Sequence, residues 1–298
     1  MSKTDFVSYP PIGIIAYSDF YDLPDKRVWG DYWFKENLMR EFAKLGYPVN
    51  NSKPKILLHL FGEPFEKTTS ETYDILWIHS HPDWIDAGVL KKYRKIYCIS
   101  PYFSRKINDM GLEAETLMVP TKMTPMKTKK KFDIIFVGNT KHNKIRKIIG
   151  DMGTLPYDIK IWGWGWKGLI PDAWYGGEYY ENGKLNELYS SARIVLNDHH
   201  EDMQREGFIN PRVLDVLASG GFVVSDWVLG IEEFFDSGVP VYRTPEDLRR
   251  IIEEFRSDEA ARDALASKAR QRAIQYTYTM CCMTIIRHIE SAYATLFP

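Results

Sequence analysis

Apolar and polar positions follow one another along this chain in blocks whose period changes several times. The first apolar block, "IGIIAYS" (Ile12 to Ser18), predicts a strand. After a polar loop, "DYWFKENLMREFAKLGY" places Phe34, Leu38, Phe42 and Leu45 at helical spacing and brings Gly46 just beyond, so a helix with a glycine cap is expected. "KILLHLFG", "DILWIHS" and "KIYCIS" follow as β-rich runs flanked by turn or helix signals. Strands that are apolar almost throughout and alternate with helices are covered on both faces, the pattern of a parallel sheet.

The stretch "TKMTPMKTKKKFD" interrupts this rhythm. A lysine run can mark a nucleic-acid patch, but no aromatic or glycine interleaving accompanies this one, so it is read as an exposed interdomain linker. Beyond it the alternation resumes. Strands are predicted at "DIIFVG", "DIKIWG", "RIVLN", "GFVVSD" and "VPVY", and helices near 143–151, 184–192, 211–219 and 245–255. Two more helices are expected after Asp258. The fold class is therefore α/β, with two Rossmann-like, doubly wound domains over 1–122 and 132–279, their strand C-termini facing a cleft. Open α/β sheets bind ligands at that edge.

Composition changes this picture little. With 44% hydrophobic and 27% charged residues, the chain of 298 residues reads as globular rather than disordered. A net charge of -1 gives no global attraction to nucleic acid or anionic membrane, and nucleic acid is not an expected partner. Nine Trp, 18 Tyr and 15 Phe suit stacking on flat ligands and suit a large core equally. No apolar run approaches the roughly 20 residues that span a bilayer, and "MSKTDFVSYPP" has no signal-peptide core. Cys98, Cys281 and Cys282 have neither metal nor disulfide-framework spacing. The expected location is cytoplasmic, with peripheral attachment to a membrane left open.

The chemistry concentrates in "DHHEDMQREGFINPRVLDVLASGG". Asn210 suits a helix N-cap and Pro211 the first helical position, while Arg212, Asp215 and Ser219 share one face of the helix. A helix N-terminus plus an arginine makes an anion site matched to phosphate. A surface ion pair between Arg212 and Asp215 is the plain alternative. "FVGNTKHNKIRK" adds a strand, Gly138 and a basic loop with Lys141, His142, Lys144 and Arg146. It has neither the Walker A nor the G-x-G-x-x-G spacing, which disfavours a P-loop NTPase or a conventional NAD site. In "KIWGWGWKG", glycine lets a flat ligand approach the backbone and a tryptophan beside it can stack on a base; Trp162 is expected in the core.

Taken in order, "FVG…R", "WGWGW", "LYSSARIVLN", "NPRVLDVLASGGFVVSD" and "VPVYRTPEDL" resemble the nucleotide-sugar-binding half of GT-B glycosyltransferases, nearest to the bacterial CgeB and YkvP-like group (glycosyl transferases group 1). "WGDYWFKENLMREFAKLGYPV" and "DILWIHSHPDWI" resemble the N-terminal, acceptor half of such enzymes more loosely. The resemblance implies transfer of a sugar from a UDP-, GDP-, CMP- or dTDP-linked donor to a saccharide, lipid or other acceptor, with no cofactor and no catalytic metal. It places Asp215 at the ribose, Arg146 and Arg212 at the diphosphate, and Gly163, Trp164 and Gly165 at the base. Gly138, Lys144, Asn210 and Gly220 complete the donor set, and Gly30 matches a glycine loop near diphosphate or acceptor. His81 corresponds to a histidine facing the donor sugar, with Asp31 and Asp83 as candidate bases. Glu206 stands where an E-x7-E motif would supply its first glutamate, but it precedes Asp215 by nine positions and Ile209 replaces a glycine. The final helix, 280–298, is expected to pack back on the N-terminal domain, as in similar enzymes.

Three rival readings stay open at this point. His79 and His81, two apart on a strand, could join Asp198–Asp202 around a metal. A nucleotide-sugar 2-epimerase shares the two-domain architecture. A non-catalytic nucleotide-binding protein could keep the fold without the activity.

Overall fold

The alternation of apolar strands and amphipathic helices resolves into two α/β units, Met1–Val119 with Tyr278–Pro298, and Pro120–Thr277. The computed structural model describes residues 9–20, 26–62, 71–141 and 143–296, the side chains of Val28 and of residues 293–296 excepted. Most of the N-terminal stretch read for a signal peptide, and His142, lie outside the described residues.

In the first unit the order is β1 (Ile12–Ala16), α1 (Gly30–Lys44), β2 (Ile56–Phe61), β3 (Tyr73–Ile78), α2 (Ala87–Leu90), β4 (Lys95–Cys98), α3 (Pro101–Asp109) and β5 (Ala114–Thr116). The five strands pair in parallel in chain order, with Ile12 beside Ile56, Ile56 beside Tyr73, Ile75 beside Lys95 and Ile96 beside Ala114. Phe34, Leu38 and Phe42 of α1 are buried, as their spacing predicts, and Gly46 takes φ +78° just past the helix. Three elements escaped the sequence reading: α2 is only four residues long, β5 only three, and α3 is announced by Ser100, whose hydroxyl accepts from the Phe103 N–H at 3.1 Å, followed by Pro101. Within this unit the last helix, α11 (Tyr278–Leu296), packs on α1, where the Asn37 amide meets the Tyr278 hydroxyl at 3.4 Å.

The second unit runs β6 (Phe132–Val137), α4 (Lys147–Met152), β7 (Ile159–Trp162), β8 (Tyr175–Gly177), α5 (Leu185–Ser191) and β9 (Ala192–Asn197). It continues with α6 (Glu201–Glu206), α7 (Pro211–Ala218), β10 (Val223–Asp226), α8 (Ile231–Phe234), β11 (Val241–Tyr242), α9 (Pro245–Ser257) and α10 (Glu259–Ala273). Its six parallel strands are ordered β11-β10-β9-β6-β7-β8. The chain steps outward from β6 to β8, returns to the other side of β6 at β9, and steps outward again. β6 and β9 therefore flank a topological switch point, where loops leave in opposite directions and open a crevice at the strand C-termini.

Three local readings change. Residues 201–206, expected in a loop, form α6, which buries Met203 and ends on Gly207 at φ +73°. The helix expected from Asn143 begins at Lys147, because Asn143 is left-handed (φ +57°) and the Lys141 and Lys144 backbones pair to close a turn before it. The lysine-rich stretch read as a linker lies along the second unit. Met126 N–H donates to Ser219 O at 3.0 Å, and the Lys130 ammonium donates to Ser190 O and Ala192 O at 2.9 and 3.0 Å. Those carbonyls sit at the C-terminal end of α5, where a cation is favoured.

Candidate functional site

At the switch point, polar residues terminate otherwise apolar strands. β6 leads into Gly138, β9 ends on Asn197 and β10 on Asp226. α7 starts at the same edge. Its N-cap is Asn210, whose side-chain oxygen accepts from the Arg212 N–H at 2.9 Å, with Pro211 at the first helical position. The Val213 N–H bonds to Asn210 O at 3.0 Å. The first-turn donors are thus largely occupied, and the expected binding of an anion by backbone N–H groups there is reduced to the helix dipole.

The Arg212 side chain is the centre of this edge. One guanidinium nitrogen donates to Asn197 Oδ1 at 3.0 Å, the buried Tyr189 phenol is an electrostatic neighbour, and the group sits 5.3 Å from the centre of the Phe136 ring. A Cβ on residue 138 would stand 3.0 Å from Arg212 Nη2, so Gly138 makes room for the guanidinium. No carboxylate forms an ion pair with Arg212 among the described residues. Arg146 differs: Asp198, fully buried, holds it through two bonds, Nε to Oδ2 at 2.9 Å and Nη2 to Oδ1 at 2.5 Å. Two arginines expected in one role therefore have different electrostatic states, one neutralised and one not.

Behind Arg212 runs a buried polar chain. Asn197 donates to the Ser225 hydroxyl at 3.0 Å, and Ser225 to Asp226 at 3.3 Å. The Asp226 carboxylate meets His199 Nδ1 at 2.5 Å and accepts from the His199 N–H at 2.9 Å and from Gln204 at 2.7 Å. His199 Nε2 accepts from the Asn210 N–H at 2.9 Å. That contact fixes the tautomer, because a nitrogen that accepts carries no proton; the proton sits on Nδ1, facing Asp226. Both ring nitrogens are used, so His199 is a brace and not a metal ligand or a ligand-facing side chain.

Asp215 lies one turn further along α7. The buried Thr121 hydroxyl donates to its Oδ1 at 2.5 Å, in place of the surface pair with Arg212 that the sequence allowed. Burial pushes the Asp215 carboxyl up to about 6, against the opposing effects of Thr121, Lys122 and Arg212. Gly163 (φ +142°) and Gly165 (φ +83°) bring the loop after β7 against the loop after β6; a Cβ on either would overlap Gly138 O or the Thr140 hydroxyl. Trp166 as well as Trp162 is buried, the Trp166 indole donating to Gly138 O at 2.7 Å, whereas Trp164 is exposed. Lys144 is exposed on its turn. Gly220 stands apart, at the C-terminal end of α7 with φ +81°, where a Cβ would lie 2.9 Å from Met126 O. Glu206 closes α6, buried and held by Arg205 at 3.1 Å.

In the first unit, β3 stops at Ile78, so His79 and His81 do not share a strand face. His81 is left-handed (φ +49°) and stacks on Trp84 with ring centres 3.9 Å apart. His79 is enclosed beside Phe34 and Gly62; burial first, and His81 second, lower its ring to about 4. The Asp31 carboxylate accepts from the Ser18 N–H at 2.9 Å and is raised by burial, while Asp83 is exposed. Gly30 opens α1 with free space around its Cα. Among the described residues no group of three or more His, Cys, Asp or Glu side chains is placed to hold a metal ion, and no helix is long and apolar enough to cross a membrane.

The residues missed by sequence reasoning are Asn197, Asp226 and Thr121, while Asp198 and His199, weighed there as metal ligands, instead hold Arg146 and brace Asp226 and Asn210. A signal existed for two of them: Asn197 and Asp226 are polar residues closing apolar runs, and such positions lie at the ligand edge of an open sheet.

Residues 142–286 match the family model described as glycosyl transferase-like. No curated protein sequence matches. Solved structures with the same architecture include AviGT4, a glycosyltransferase of avilamycin A biosynthesis (TM-score 0.64, 14% identity, 96% of this chain and 98% of that one). Others are T4 phage BGT in complex with UDP and Mn2+ (0.64, 11%, 94% and 99%) and sucrose-phosphate synthase from Thermosynechococcus elongatus (0.63, 12%, 87% and 77%). The fold is GT-B, and the sequence match over residues 142–286 gives the activity class: the protein is a glycosyltransferase. Nothing in these comparisons supports the epimerase reading.

Proposed function

We propose that the protein transfers a glycosyl group from a nucleotide-sugar donor whose diphosphate lies against Arg212 at the β6/β9 switch point. The observation that carries this reading is the pre-positioned, half-buried guanidinium with no carboxylate paired to it. In the donor, the bond between the anomeric carbon and the diphosphate oxygen breaks, and negative charge grows on the departing diphosphate. Arg212 and the positive end of α7 stabilise that charge, in surroundings that do not have to reorganise. Arg146, neutralised by Asp198, shapes the pocket wall and contributes little net charge. Asp215 accepts from the ribose hydroxyls, and the base lies against the Gly163–Gly165 strand end.

A uridine nucleotide is our choice of donor base, supported by neighbours of this fold solved with UDP or UDP-glucose. From the family resemblance, our candidates for the sugar and acceptor steps are His81 and, as base, Asp31 or Asp83, all of the first unit. We place the protein in the cytoplasm, consistent with three free, buried cysteines. The CgeB and YkvP-like group remains our reading of the subfamily, from the Asn210–Asp215 segment. The test is release of nucleotide from UDP-, GDP-, CMP- and dTDP-linked sugars. Turnover of one base class, lost in Arg212→Ala, is expected; absence of turnover with every donor, with or without added saccharide or lipid acceptors, overturns the reading.

A further inference from the structure

The loops that follow β6 and β7 run side by side, tied by Thr140 N–H to Trp164 O and Trp164 N–H to Asn139 Oδ1, both 2.9 Å. Over residues 138–147 and 163–170 they contain Lys141, Lys144, Arg146, Lys147 and Lys167 and no aspartate or glutamate. Arg146 and Lys147 are paired, to Asp198 and Asp151. Lys141, Lys144 and Lys167 are exposed, and none forms an ion pair with a described residue. The same two loops carry three large apolar side chains open to solvent: Ile145 at 46%, Trp164 at 41% and Leu169 at 37% exposure.

We infer that these two loops form a docking face for a bilayer surface bearing anionic lipid. Ammonium groups held in no ion pair are drawn to the negative headgroup layer, and isoleucine, tryptophan and leucine side chains enter the boundary between headgroups and acyl chains. The exposed aliphatic groups favour a lipid surface over a nucleic acid, which offers stacked bases and phosphates but nothing to take Ile145 or Leu169. The chain's net charge of -1 makes the attraction local to these loops. In this role the Trp164 indole faces lipid, while the backbone of Gly163–Gly165 remains the part that meets the donor base. The docking face shares these loops with the donor assignment but does not depend on it: it does not require Arg212 to bind phosphate.

The experiment is co-sedimentation of the full chain with vesicles of phosphatidylcholine alone and of phosphatidylcholine mixed with phosphatidylglycerol, at low and at high salt. Binding to the mixed vesicles at least about tenfold tighter than to the neutral ones, and weakened by salt, is expected. The charge-reversed variant K141E/K167E should fall to the neutral-vesicle level. The variant I145S/L169S should lose about tenfold on mixed vesicles while its melting temperature and nucleotide binding stay at wild-type values. The inference is overturned if the wild-type chain ignores both vesicle types. It is also overturned if I145S/L169S binds mixed vesicles as well as the wild type, or if a single-stranded oligonucleotide binds more tightly than the vesicles. Loss of vesicle binding with nucleotide binding intact removes the docking face alone; the reverse removes the donor reading alone.

Discussion

Arg212 and Asp215 sit three residues apart on one helix, yet the structure gives them opposite tasks. Arg212 keeps its charge available because its partners are an amide oxygen, a phenol and an aromatic face. Replacing it with alanine should lower turnover by roughly 10²–10³-fold, the scale of a lost transition-state charge stabiliser. The turnover number, measured beside a melting curve that shows the variant folded, checks this. Asp215 gives a prediction in pH. Its carboxyl is raised to about 6 by burial, against about 3.9 for an unfolded aspartate. Between those values the folded state binds more protons than the unfolded state, so this group lowers stability as pH rises through the window. Asp215→Asn removes that dependence and keeps an acceptor for Thr121. The melting temperature of the variant relative to wild type should therefore rise from pH 4 to pH 7, and a difference that stays flat contradicts the assignment. At this scale the sequence showed the residue types but not their pairings. Nothing in "NPRVLD" indicates that Asp198 occupies Arg146 and leaves Arg212 unpaired, because the partners come from a strand end that is distant along the chain.

Elements bring those partners together, and the glycines show where the fit is tightest. Gly163→Ala combines a disfavoured φ of +142° with overlap on the Gly138 carbonyl, so it should cost at least about 2 kcal/mol and pull the β6 and β7 loops apart. Gly30→Ala, with open space at the start of α1, should be neutral or stabilise by up to about 1 kcal/mol. Chemical denaturation of the two variants separates these outcomes. His199 works at the same scale, joining β10, the segment before α6 and the α7 cap through Asp226 and Asn210. His199→Ala leaves a buried carboxylate short of a partner and should destabilise by roughly 2–4 kcal/mol. Helices with a full apolar stripe and a capping signal, α1, α7 and α9, were legible from periodicity alone. α6 was not, since its six residues carry four acids and bases and only one large apolar side chain, too little to register a period.

For the molecule as a whole, sequence alternation was enough to suggest two parallel α/β units, but not strand order. The reversal between β6 and β9 depends on which side of the sheet the chain returns to after β8, and no local pattern encodes that choice. Yet that reversal is what places Gly138, Asn197 and the start of α7 at one edge, and the donor reading depends on it. The central claim is that a nucleotide diphosphate binds this edge through Arg212. Calorimetric titration of UDP into the wild-type protein and into Arg212→Ala tests it most directly. Binding to the wild type that weakens at least about tenfold in the folded variant is the predicted result. Equal affinity of the two proteins, or no binding of any of UDP, GDP, CMP and dTDP to the wild type, would contradict it.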